Sequence, residues 1–448
     1  MNPATHTHSL SAPQRIFWTA FLLRVLYITL AHTYRIRPLE GHFQFGWEAG
    51  RIAKALVTGY GYADPFSNAV LAHTGPTAWL PPVYPLLIAA VFKLFGVYTP
   101  ASAWVLLAIN SALSAATALA IWEIATRCFS HRVALWSAWI WALHPAALQY
   151  AVRWIWEMSL TTALFTWTLV FALRLRNVQP VIPTANAPYV PAKNHVLNDD
   201  STLLWLLFGL FWALIALANS TLLLFLPICG LWILLGRQSH SLRNAVLAAI
   251  LFLSCLFPWV YRNHQVFHTF IPLRSNFGAE LYLGNGPGST GLLMEYDHPF
   301  RSPRQLLQYA RLGELPYVAG RGALAKAYIR THPAHFADLT LRRVFFYWWS
   351  VPDDASHAWI VSYLRVLDFS FISLSGLLGL ALALYLRTPA AKLFAWAFAL
   401  LPLTYYFVTV HARFRHPLEP LLCILAVFLF LSAQPRRSSS VDPAAQTR

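Results

Sequence analysis

Apolar runs close to bilayer-spanning length recur along the sequence, the first starting at Ile16 and the last ending at Ser432. A transmembrane helix needs about 20 predominantly apolar residues. Only 11% of the 448 residues are charged, where a soluble protein carries about a quarter. The pattern predicts an all-α polytopic membrane protein with about ten transmembrane helices and two external loops carrying amphipathic helices. On a soluble chain the formal charge of +16 would point to nucleic acid. Here Arg and Lys lie in loops beside apolar runs, so topology control and contact with anionic lipid or phosphate account for them. No nucleic-acid partner is expected. Cys128, Cys229, Cys255 and Cys423 all fall in or at the ends of apolar runs without a CxxC pair, so neither a disulfide nor a zinc site is expected.

The expected spans are Ile16–Ala31, Ala101–Ala125, Val133–Tyr150, Met158–Leu173, the hairpin Leu203–Ala218 and Thr221–Leu235, Ala245–Val260, Val361–Leu386, Leu393–Val410 and Pro417–Ser432. Residues 1–15 read as a cytoplasmic tail and 16–260 as an N-terminal transmembrane region containing an external loop, 34–100. Residues 261–360 read as a second external loop, 361–433 as a C-terminal transmembrane region and 434–448 as a disordered tail. No small-residue cleavage site follows the first run, which reads as a retained span. Pro81–Gly96 is short for a bilayer. If it lies in the interface, the basic clusters Arg127/Arg132, Arg174/Arg176/Lys193, Arg237/Arg243, Arg387/Lys392 and Arg436/Arg437 share one side with Arg15, as the positive-inside rule asks. Both termini are then cytoplasmic. Asn177–Ser201, rich in Pro and Asn, reads as a flexible linker. In the second loop, turn-rich Gly284–Gly291 precedes helices expected from about Tyr317 to Arg330 and from Pro333 to Trp349. Arg24, inside the first span, must face other helices, snorkel or meet a phosphate.

Few side chains outside the spans can do acid–base chemistry. An amphipathic piece, Trp47–Leu56, carries Glu48 near its start. Glu48 is either a charge balancing Arg51 or Lys54 about one turn away, or a base that takes a proton from an acceptor hydroxyl. Asp64, in the turn after Gly59, reads by default as a turn cap, with substrate contact as the alternative. Glu157 is a helix-start charge or a second site carboxylate. Scattered histidines such as His73 and His411 are loop residues or substrate contacts. Arg262 and Asn263 end one span, and His411, Arg413 and Arg415 begin another. Arginines outside oppose the general charge bias, and a lipid-linked phosphate would explain them, since guanidinium binds phosphate through paired donors.

PPVYPLLIAAVFKLFG (81–96), PWVYRN (258–263), FIPLRSNFGAELYLGN (270–285) and RFRHPLEP (413–420) resemble the C-type, membrane-embedded glycosyltransferases. That superfamily includes the protein O-mannosyltransferases and the aminoarabinose transferases of lipid A. The similarity extends over Ile16–Ser432 and is nearest to an uncharacterised bacterial branch. It implies a polyprenyl-phosphate-linked sugar donor, an acceptor that is a lipid, glycan or protein, and inverting transfer at the outer face of the bacterial cytoplasmic membrane. A first-loop acid would be the base, and a divalent metal is possible. The family's usual Asp position falls at Phe45 here, about one helical turn from Glu48. Glu157 matches the acid that often follows the third span, and no Lys stands beside Pro81-Pro82. Glu48 therefore acts from a shifted place, or the protein is an inactive relative. A transporter of lipid-linked saccharide would share the arginines and spans, but it should carry an internal repeat, and none is found.

Overall fold

A computed structural model describes residues 10–36, 45–180, 202–236, 241–351 and 359–433. The tail from 434, the linker beyond residue 180, Glu40, Lys193, Arg237, Arg436 and Arg437 lie outside the described residues. The regular elements among the described residues are helices. In chain order the helices are α1 (Ala12–Leu30), α2 (Glu48–Val57), α3 (Val83–Phe95), α4 (Pro100–Cys128), α5 (His131–Leu143), α6 (Pro145–Val152), α7 (Met158–Leu175), α8 (Thr202–Ala216), α9 (Leu226–Leu234), α10 (Ser241–Phe267), α11 (Phe277–Asn285), α12 (Pro303–Leu312), α13 (Glu314–Thr331), α14 (Pro333–Trp348), α15 (Trp359–Tyr385), α16 (Ala391–Leu400), α17 (Leu403–Phe407) and α18 (Glu419–Ser432). Tight 3₁₀ turns at Ser220–Phe225 and Ala412–Leu418 lead into α9 and α18.

Five helical stretches among the described residues are long and apolar enough to cross a membrane: α4, α7, Leu242–Phe267 of α10, α15 and Ala412–Ser432. Their surfaces say the same. Leu242, Val246, Ile250, Leu253, Phe257 and Tyr261 form a stripe at helical spacing on α10, and every one is exposed. Ile360, Leu364, Leu367, Phe371, Leu374 and Leu378 repeat this on α15. Water would penalise such stripes, whereas lipid accepts them. The polytopic all-α reading holds. The short α3, with 13 residues, is about 20 Å long, against a hydrocarbon core of about 30 Å.

Inside the bundle, α4 packs against α1, α5 and α7 through small and hydroxylated residues. Ser111, Thr117, Thr166 and Thr168 each donate to the carbonyl four residues back, which satisfies these four hydroxyls within their own helices.

Two expected spans are broken. Val133–Tyr150 divides at His144-Pro145, because proline has no N–H to give Trp141 and its ring crowds the preceding turn. Arg24 repairs the break by donating to the Ala142 carbonyl at 3.0 Å and to that of Trp141 at 3.5 Å. This buried arginine faces helices rather than a phosphate. Leu393–Val410 likewise divides at Leu401-Pro402. The second loop holds the two helices expected there and two more, α11 and α12.

Candidate functional site

Two glycines bring distant segments together. Gly46 has φ +74°, and a Cβ there would lie 2.7 Å from the Ile155 carbonyl oxygen. Its bare Cα lets the start of α2 sit against residues 155–157. Gly284, near the end of α11, presses on the Val408 carbonyl so closely that no side chain fits. Asn285 donates to the Phe407 carbonyl at 3.0 Å, and Arg343 bonds the Gly284 carbonyl and the Asn285 side chain. The approach to α7, the body of α11 and the segment before α18 thus meet at the head of α2.

They enclose a cavity of about 430 Å³. Glu48, Glu157, His411 and Arg413 all line it, as do Arg274, Asn276, Glu280 and His298. Apolar walls come from Leu80, Leu224, Tyr405 and Val410.

Glu48 opens α2 and makes no ion pair with Arg51 or Lys54. Arg51 instead donates to the Ser67 carbonyl at 2.8 Å and lies 4.7 Å from the Phe300 ring. The nearest basic group is His298, whose Nε2 is 3.8 Å from the Glu48 carboxylate. His298 Nδ1 accepts the Phe300 N–H at 3.1 Å, which assigns the ring proton to Nε2, facing Glu48. Burial, then the charges of Arg51 and Arg321, push His298 down to about 3, so the ring is neutral. Burial pushes Glu48 up to about 7, with Glu280 adding to the rise, while its own backbone N–H, Arg51 and Arg413 oppose it. Such a carboxyl changes protonation near neutral pH, as a general base must.

Arg413 lies with its guanidinium 4.4 Å from the Trp156 ring and 5.2 Å from that of Phe414. It has no ion pair among the described residues, and its buried Nε has no hydrogen-bond partner. His411 caps the turn before α18 by accepting the Arg413 N–H at 3.2 Å. Burial, then Arg413 and Arg365, hold it down to about 3. Also lining the cavity, Arg274 donates to Asn276 Oδ1 at 2.6 Å, and Asn276 donates to Glu280 Oε1 at 3.2 Å. Burial raises Glu280 above the usual carboxylate range, while Arg274 and Arg413 oppose it.

Four sequence candidates stand elsewhere. Arg415 points into the bundle, 1% exposed, bonded to the Phe369 carbonyl, Ser373 and Glu419. Arg262 donates at 2.7 Å to the carbonyls of Thr77 and Tyr62 and so pins the first loop to the end of α10. Asn263 donates to the Ile271 carbonyl at 3.1 Å. Asp64 accepts from the backbone of Thr74 and Gly75 and from His73, the turn-capping role. Phe45, at the family's usual acid position, is buried against Phe92 and Tyr98. Sequence reasoning missed Arg274, Asn276, Glu280 and His298. The first three lie in the 270–285 run that carries the resemblance, and in a chain so poor in acids Glu280 could have been weighed as Glu48 was.

No protein-family model matches the sequence, and no characterised protein matches it. Solved structures do match. The Archaeoglobus fulgidus oligosaccharyltransferase in complex with Zn and sulfate aligns at TM-score 0.52 and 14% identity, over 94% of this chain and 49% of that one. Its apo form aligns at TM-score 0.51 and 14% identity, over 93% and 50%. ArnT from Cupriavidus metallidurans in the apo state aligns at TM-score 0.37 and 10% identity, over 92% and 78%. The chain spans about half the length of the oligosaccharyltransferase it matches. In architecture, the chain shares the fold of the matched part of the Archaeoglobus fulgidus oligosaccharyltransferase.

Proposed function

We propose that the protein transfers a sugar from a polyprenyl-phosphate-linked donor to an acceptor hydroxyl at the outer face of the cytoplasmic membrane. One observation carries the reading: a carboxyl poised near neutrality, Glu48, and a guanidinium with no ion pair among the described residues, Arg413, line the same cavity. Glu48 takes the proton from the acceptor hydroxyl. The oxygen then bonds to the anomeric carbon as the bond from that carbon to the phosphate oxygen breaks. The leaving phosphate gains negative charge, which Arg413 receives, with Arg274 as a second cation lining the cavity. Charge neutralised by a fixed cation in a site of low polarity is the main source of rate in such a step. Glu157 and His411 line the wall where the sugar would be held. The apolar side chains leave room for the first units of the prenyl chain.

The described residues include no group of three or more His, Cys, Asp or Glu side chains that could hold a metal ion, and no step here runs through one. The test is purified protein in nanodiscs with labelled polyprenyl-phosphate sugar. Covalent product or released polyprenyl phosphate is expected, and Glu48→Gln should lower the rate by about 10²–10⁴. Movement of label across the bilayer without product would identify a transporter instead. Full transfer by Glu48→Gln would remove Glu48 from the mechanism.

A further inference from the structure

A second concavity adjoins the cavity. It runs between α11 and α13 and encloses about 610 Å³. Its floor is small and apolar: Gly278 and Gly322 touch, a Cβ on either lying 3.1 Å from the other's Cα, and Ala319, Ala323 and Ala327 continue the surface. One end is basic. Lys326 and Arg330, one helical turn apart, both line it, are both exposed and form no ion pair among the described residues. No carboxylate lines the groove. The other end reaches Phe277, 57% exposed, which also lines the cavity holding Glu48. The groove also lies beside the expected membrane surface. Its wall residue Leu315 packs against the same buried apolar cluster as Phe267 of α10, a cluster that includes Trp259, near where the exposed apolar stripe of that helix ends. The neighbouring Phe270 is 72% exposed.

We infer that this groove binds the acceptor, and that the acceptor is an anionic amphiphile drawn from the membrane. This rests on the transferase reading above. An acyl chain fits the apolar floor, and its acidic headgroup meets Lys326 and Arg330. A hydroxyl on the same molecule extends past Phe277 toward Glu48. The absence of any lining acid selects for negative charge, and the opening into the cavity gives the bound molecule a reason to be there. The step remains the one given above, with the lipid hydroxyl's proton passing to Glu48 and its oxygen taking the sugar.

The experiment uses the full chain in phosphatidylcholine nanodiscs doped with phosphatidylglycerol that carries a photoreactive acyl chain. Crosslinks are mapped by peptide mass spectrometry. Crosslinks on α11 and α13 are expected, in excess over those from photoreactive phosphatidylcholine. Lys326→Gln with Arg330→Gln should remove that excess, roughly fivefold for each basic residue. Ala323→Trp, which fills the groove from an exposed position, should abolish the crosslinks, and added polyprenyl phosphate should leave them intact. Equal labelling by both headgroups, or labelling elsewhere only, overturns the proposal. Displacement by polyprenyl phosphate overturns it too, since the groove would then hold the donor's chain. Binding of polyprenyl phosphate to wild type and Arg413→Ala, measured in the same nanodiscs, tests the transferase reading separately.

Discussion

Arg413 and Arg415 are two residues apart in one turn, yet they face opposite environments. Arg413 lies against Trp156 at the wall of the cavity, with no ion pair among the described residues. Arg415 is bonded to the Phe369 carbonyl, Ser373 and Glu419, and Glu419 also bonds His416 at 2.5 Å. His144, at the break between α5 and α6, stands 3.9 Å from both Glu419 and Asp368. One guanidinium is spent holding α18 to α15, and the other is available. A positive charge becomes a candidate for binding phosphate only when the fold leaves it unneutralised, and residue type does not reveal that.

Substitutions can break this contrast. Arg415→Met should have the largest effect. It removes one partner of a buried ion pair, a change that costs about 3–5 kcal/mol. Thermal unfolding in detergent should show a large drop for this variant, with activity lost only as the fold is lost. Arg413→Ala should do the reverse: a rate loss of about 10²–10³ with an unchanged melting temperature, as when one fixed donor to a developing charge is removed. If both variants melt early, Arg413 is structural. Arg413→Lys should fall between wild type and Arg413→Ala in rate, because a single ammonium cannot offer the paired donors of guanidinium.

A further effect concerns the pH dependence of stability at Glu48. Its folded-state pKa, about 7, is above the value of about 4.3 expected when unfolded. The folded protein therefore binds this proton more tightly, and the stabilisation is complete below pH 4.3 and lost as pH rises through 7. Glu48→Gln keeps a neutral side chain. Relative to wild type it should be more stable at pH 8 than at pH 5, as read by melting temperature across that range.

The long apolar helices were legible in the sequence because lipid imposes length and composition together. α4, α7 and α15 lie within a few residues of the expected spans. The break at Pro145 was not anticipated, although proline announces it, because the apolar run continues through it. The site was half legible. Glu48, Glu157, His411 and Arg413 could be named from their types and positions. The 3₁₀ geometry of Ala412–Leu418, which turns residues 413 and 415 about 240° apart, decides which arginine reaches the cavity. No periodicity in so short a segment reports that. Glu280 and His298 come from a loop whose folding depends on contacts such as Gly284 with Val408, far apart in sequence. The same loop is joined to the first by Glu314, which accepts hydrogen bonds from Thr77, the Ala78 N–H, Ser275 and Tyr309.

The pairing of Glu48 with Arg413 is tested most directly by the pH dependence of single-turnover transfer from a polyprenyl-phosphate sugar, in wild type and Glu48→Gln. Ionised Glu48 is the base, so the wild-type rate should climb with pH through an apparent pKa near 7. In Glu48→Gln that limb should be gone and the remaining rate low and flat. A variant that keeps both the full rate and the same limb would show that the proton goes elsewhere.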